Sequence, residues 1–385
     1  MEDLVLKKCI TACTLTICIL LVVLKIGINF ENPNHISSNG KVRYPQTINA
    51  NKYIYTRGET TQRPTGVPKG YIYLDTTLKK LIYWNGEKWV DGNFINIRDF
   101  GAKGDGITDD TAIIQKALNI ARDHGGIKLY FPKGIYNITT LRLFKNTNIY
   151  LDSNAVIRRI GKSTKMFVNG EIGNFNYSSG YSGDGNIHFS GGTIDLNTLK
   201  APIPSELSTS AFEIAHAENI TFKNLKVING QNGHYFQISS SKNVIFDNCW
   251  FGNVQYTNNA TKNYELIQIE EATIHSFPTF GTYDGTISKD IVIQNCYFEN
   301  IIRAIGTHGY PRDKDGITPL RYCENIRITN NVFKNAISNF GHFEGFKKVF
   351  FENNILENSG ESPIYFSQSK NYSIKNNKFI NTKGS

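Results

Sequence analysis

The chain has 385 residues, a formal net charge of +9, 24 phenylalanines, 20 tyrosines, 33 glycines and 2 methionines. That length holds one large domain with appendages, and the Tyr-, Phe- and Gly-rich mix suits strands joined by many turns. A basic balance favours an acidic polymer as partner, but the charge is spread along the chain without a Lys/Arg cluster interleaved with aromatics, so nucleic acid is not the expected ligand.

Residues 9 to 24 are uninterrupted by charge, Lys7 and Lys8 precede them, and the apolar character resumes after Lys25 to residue 30. A helix needs about 20 residues to cross a bilayer, and flanking lysines favour a cytoplasmic N-terminus. No small-residue cleavage site follows, so residues 1–30 are expected to be an uncleaved single-pass anchor in the cell membrane with the rest of the chain outside. Residues 31–60 are polar and rich in Asn, Ser and Thr, as a linker is. Residues 61–92 hold short aromatic strands and an Asn85-Gly86 hairpin signal, which predicts a small β module.

Between residues 95 and 138, Ile113, Ile114, Ala117, Leu118 and Ala121 share one helical face. Asp109 or Thr108 is placed to cap that helix and Gly125-Gly126 to end it. Asp99, Asp105, Asp109 and Asp110 are expected to cap and turn backbone rather than to bind metal.

From residue 140 the chain repeats. Segments such as KNVIFDNCWFGNV and KDIVIQNCYFENI carry a recurring Asn at 224, 248, 295, 330, 353 and 376, at intervals of 24, 47, 35, 23 and 23 residues. A turn of about 23 residues, with 47 read as two turns and 35 as one turn with an insertion, marks an all-β solenoid whose turns bury their apolar side chains against one another. Asn at a fixed corner suits left-handed backbone. Cys249 and Cys296 fall at equivalent places and, with Cys323, are expected to be small core residues rather than a disulfide framework. The last repeat ends without a capping element, which would leave an exposed edge for a homotrimer or a partner to cover, or mark a shortened chain.

A second strand precedes each of these by about six residues: SAFEIAH, HYFQISS, ELIQIEE, RAIGTHG, SNFGHFE and SPIYFSQ. Alternation turns one column outward, Glu213, Gln237, Gln268, Gly306, Gly341 and Tyr365. A second column runs Ala215, Ser239, Glu270, His308, Phe343 and Ser367. His234, Glu265 and Arg303 line up at the leading corner, so Glu270 and His308 are expected as direct neighbours beside that line. Insertions after Glu271 and after His308 leave from these polar rungs and should wall a groove, bringing Asp284 and Tyr283, with Asp195 near a further loop. This pattern predicts a polysaccharide-cleaving groove with Glu270, His308, Arg303, Glu265 and Asp284 as the chemical groups. Glu213, His234, Gln237, Gln268, Asp195 and Tyr283 would contact substrate. Nothing in the spacings supports a cofactor or a metal site, calcium included. Hydrolysis needs an acid with a base or nucleophile; elimination needs a base with a cation for the developing charge. The rungs between 210 and 309 are expected to carry function and those after 325 to be scaffold.

Two resemblances accompany this reading. Residues 61–92, with RPT, GYIYLDTT and WNGEKWVDG, resemble the connector module of phage tail-fibre proteins. Residues 95–385, opening on INIRDFGAKGDGITDD, resemble pectate-lyase-3-type, rhamnogalacturonase-type and tailspike-type proteins of the pectin-lyase-like superfamily. That resemblance implies a right-handed parallel β-helix whose amphipathic helix plugs one end of the core. Asn232-Gly233-His234 and Arg303 only partly echo the polygalacturonase signature, and its paired aspartates are missing, so that mechanism is not carried over. The competing expectation is a non-catalytic glycan-binding, adhesion or tail-fibre-like protein.

Overall fold

A computed structural model describes residues 56–68, 71–78, 80–91, 94–171, 178–257, 264–277 and 282–384. The apolar run expected to anchor the chain lies outside these residues. Among the described residues, no helix is long and apolar enough to cross a membrane.

Thr56–Gly58, Ile72–Asp75, Lys80–Trp84 and Trp89–Asp91 form a four-stranded sheet. Its last two strands are antiparallel across the Asn85-Gly86 turn, where Trp84 and Trp89 meet edge to face. The remaining strands form three long parallel sheets of ten, ten and eight strands. Each turn of the chain gives one strand to each sheet. Glu218–Lys223 lies in the first, Lys226–Ile228 in the second and Phe236–Ser239 in the third.

The period-two pattern explains the core. Ile220, Val244, Ile291, Ile326 and Val349 pair in one inward column of the first sheet, all fully buried. Phe212 and Phe236 stack at 5.1 Å with planes 3° apart, and Phe222 and Phe246 stack at 5.0 Å. Each rung therefore supplies the surface its neighbour needs, and no rung is complete alone.

The corner asparagines behave as their spacing predicts. Asn224, Asn248, Asn295, Asn330, Asn353 and Asn376 are all left-handed, with φ between 52° and 59°. Their amides run up the corner, for example Asn248 Nδ2 to Asn224 Oδ1 at 2.8 Å. From Asn248 onward, the residue after each corner belongs to an inward column of Cys249, Cys296, Asn331, Asn354 and Asn377. The cysteines are small core residues, as expected. The asparagines that continue the column bond to main chain: Asn354 Nδ2 donates to Ile328 O at 2.9 Å, and Asn331 N donates to Asn354 Oδ1 at 2.8 Å.

The helix α1, Thr111–His124, buries Ile114, Ala117, Leu118, Ile120 and Ala121 in the solenoid core and ends at left-handed Gly125. Asp109, not Thr108, accepts from the first helical N–H, that of Thr111, at 2.9 Å. Asp110 instead accepts from the N–H groups of Lys103 and Gly104.

Candidate functional site

The third sheet is where the pattern departs from an ordinary solenoid face. Strands Ser210–Ala215 and Glu265–Glu270 are buried at every position, outward residues included. Inserted loops cover them. Gln237 Nε2 donates to Ser276 O at 2.7 Å in the loop after Glu271. Arg321, at the end of the second insertion, holds Glu271 through two bonds of 2.8 and 2.7 Å. The loop after Glu271 therefore reaches back over the rung of Gln237, and the end of the second insertion is tied to the strand from which the first departs.

The leading-corner line forms as expected. Glu265 pairs in register with Arg303, and His234 sits one rung before them. The Glu265 carboxylate is fully buried. Its Oε1 accepts from Arg303 Nη1 at 3.2 Å and its Oε2 lies 2.8 Å from His308 Nδ1. Burial opposes ionisation of Glu265, but the His308 bond and charge, with the Arg303 guanidinium beside it, outweigh it and hold the carboxyl below its usual range. Burial likewise opposes a charge on His308, yet the Glu265 bond and charge, with Glu270, raise it. His234, whose Nδ1 faces Glu265 O at 2.7 Å, is pushed down to about 4 by burial and is therefore neutral. The His234 and His308 rings stack 5.5 Å apart, 11° from parallel.

Glu270 has the opposite character. Burial and the Glu265 charge push its carboxyl up to about 7, only partly offset by bonds from Gln237 and Ser239. Gln237 Nε2 and Ser239 Oγ reach Oε1 at 2.7 and 2.8 Å, and Gln268 Nε2 reaches Oε2 at 2.7 Å. Among the described residues, the remaining Gln268 amide oxygen is buried without a partner. Two carboxyls of one strand are thus pushed apart, one ionised and one protonated near neutrality.

Several expected placements are corrected. His308 bonds Glu265 rather than standing in register beside Glu270, because the strand ends at Gly306 and His308 lies beyond it. The strand Gly341–Glu344 is one residue out of the expected register. His342, not Gly341, follows Gly306, and Glu344, not Phe343, aligns with Ser367. The reason is packing: Phe343 turns inward to stack on Phe366 at 4.9 Å, and Gly341 leaves room for its ring, which would lie 2.6 Å from an added Cβ.

That shift makes a later rung polar, contrary to the expectation of plain scaffold after 325. His342 is buried, with Nε2 3.0 Å from Glu344 Oε1 and its ring stacked on Tyr365 at 4.6 Å. Arg303 Nε also donates to Ser338 Oγ at 3.2 Å, which joins the two rungs. Asp284 does not reach Glu270. It accepts from Gly180 N at 2.7 Å and Thr286 N at 3.0 Å, and so ties down its own loop. Tyr283 is exposed on that loop and donates to Phe277 O. Asp195 belongs to the second sheet, where Asn229, Asn197 and Arg158 surround it. Glu213 stays in the outward column but is paired with Lys165 at 2.6 Å. Lys165, Arg321 and His342 were missed. Only the polar composition of their rungs hinted at them, because each is placed by a loop end or by the shifted register.

His234, Glu265 and His308 also present ligand atoms that all lie within 4.8 Å of one another. Their separation in sequence, 31 and 43 residues, hid the grouping.

Comparison with known proteins agrees with this architecture. The chain is 31% identical over 323 residues to plasmin and fibronectin-binding protein A of Streptococcus pneumoniae, covering 76% of this chain and 44% of that protein, so it spans less than half of that relative's length. The crystal structure of PfbA, a surface adhesin of Streptococcus pneumoniae, superposes with a TM-score of 0.59 at 30% identity, over 68% of this chain and 61% of that one. An iota-carrageenase of Alteromonas macleodii is 32% identical over 95 residues, 23% of this chain and 19% of the enzyme. Residues 94–301 match the family model described as rhamnogalacturonase A/epimerase, pectate lyase-like, and the chain therefore belongs to that family of right-handed parallel β-helix proteins in the pectin-lyase-like superfamily.

Proposed function

We propose that the covered groove of the third sheet binds an acidic polysaccharide and cleaves it by elimination. The observation that carries this reading is the division of labour within one strand: Glu270 keeps a proton near neutrality, while Glu265 is ionised and orients an imidazole. In the proposed step, His308 in its neutral form, its Nδ1–H held by Glu265, takes at Nε2 the proton beside a uronate carboxyl. The electron pair forms a C=C bond as the glycosidic C–O bond breaks, and Glu270 gives its proton to the departing oxygen. Hydrolysis by two carboxylates fits less well. Glu265 is fully buried, its charge is met by Arg303 and its Oε2 accepts from His308 Nδ1–H, which leaves it neither nucleophile nor free base. The net charge of +9 accords with an anionic polymer. The test is a panel of uronate-containing polysaccharides, with unsaturated products and new reducing ends measured together. New reducing ends without unsaturation would sink elimination.

The second reading is adhesion without turnover, favoured by the pneumococcal relative, whose name records plasmin and fibronectin binding and whose structure is that of a surface adhesin. Retained glycan or fibronectin binding with no product from any polymer would establish it. Under either reading we propose a cell-surface location through residues 1–30, tested by protease accessibility on intact cells.

A further inference from the structure

We propose that His234, Glu265 and His308 form a binding site for a divalent transition-metal ion of the zinc class. This does not depend on the groove being catalytic.

The donor set is two imidazoles and one carboxylate, the nitrogen–oxygen mixture that suits zinc rather than calcium or magnesium. The three ligand atoms all lie within 4.8 Å of one another, and side-chain rotation that brings the widest pair to ~3.4 Å would close them on one tetrahedral ion. Rigid scaffolding supports them. Glu265 lies on a strand paired in register to Phe236–Ser239 on one side and Arg303–Gly306 on the other. His234 and His308 flank those same rungs.

The surrounding bonds are those a metal site needs. His234 directs Nδ1 to Glu265 O at 2.7 Å, which leaves Nε2 with its lone pair for an ion. Arg303 takes Glu265 Oε1 and leaves Oε2 turned toward His308. Entry is possible from one side only, because the Glu265 side chain is 0% exposed and that of His308 is 34% exposed. Three protein ligands leave a position for water or a substrate oxygen. The Arg303 charge opposes the ion, so micromolar affinity is expected rather than that of a structural zinc.

The experiment uses the full chain, freed of metal by chelator. It is titrated with Zn²⁺ by calorimetry and with Co²⁺ by visible absorption. The expected result is one ion per chain, with Co²⁺ bands of a four- or five-coordinate centre. His234→Ala and His308→Ala should each weaken binding by about 10- to 100-fold. His308 is partly exposed, so its variant should retain the fold, which circular dichroism checks. No saturable Zn²⁺ binding, or binding that both variants leave unchanged, would overturn the proposal.

Discussion

His308 Nδ1 lies 2.8 Å from Glu265 Oε2 although 43 residues separate them in the chain. The contact forms because the rung after Glu265 delivers His308 just past the end of its own strand. Under the elimination reading, His308→Ala should lower kcat by about 10²- to 10⁴-fold on whichever polymer the wild type cleaves. Its thermal midpoint should also fall, because Glu265 Oε2 loses its partner, so kcat is compared where circular dichroism shows the variant folded. Undiminished turnover would remove His308 from the chemistry.

Glu265 has a structural role as well. Glu265→Ala would strand the buried Arg303 guanidinium, and breaking such a pair costs about 3–5 kcal/mol. Replacing both at once, Glu265→Leu with Arg303→Met, should recover much of that loss. Urea unfolding of Glu265→Leu, Arg303→Met and the double variant checks it, and strict additivity would show that the two residues do not interact.

Glu270 should make folding pH-dependent. The folded chain retains a proton up to about 7, whereas the ordinary value is 4.5. Stability contributed by this group is therefore full below about 4.5, declines as pH rises toward about 7, and is level beyond. The total change is on the order of 3 kcal/mol. Glu270→Gln should flatten that slope in urea titrations between pH 4.5 and 8. Turnover by the wild type should also fall above about pH 7 as the proton donor is lost.

The corner and the inward column beside it can be separated by substitution. Asn353→Ala places alanine in left-handed backbone and should cost about 1–2 kcal/mol, while Asn353→Gly should cost less. Asn354→Ala would leave Asn331 N–H and Ile328 C=O unsatisfied in the core, a cost of about 1–3 kcal/mol for each buried group. Thermal midpoints that ranked Asn353→Ala well below Asn354→Ala would contradict this.

The β-helix was legible because its rules are local and repeated. An Asn every 23 residues sets the corner, and alternation sets the face. The line of His234, Glu265 and Arg303 followed from that register. Three things were not legible. Glu270 and His308 were matched by counting beyond a strand end, where counting has no meaning. The rung at 338–344 was misaligned because Gly341 occupies an inward position that apolarity alone would not assign. Asp195 and Asp284 attracted attention by charge, but Asp195 sits on another sheet and Asp284 holds a loop, facts decided by packing rather than pattern.

The inward column of Cys249, Cys296, Asn331, Asn354 and Asn377 changes chemistry partway down. Sulfur contacts tolerate small displacements between rungs, whereas paired amides accept only one alignment. The tolerant half is the half that carries the long insertions, with neighbouring corners up to 47 residues apart, which is one turn with an insertion and not the two turns the spacing suggested. The directional half keeps to 23. The molecule thus confines variation in rung length to the part where a loose spine can absorb it, and locks the remainder so that the insertions do not propagate as slippage.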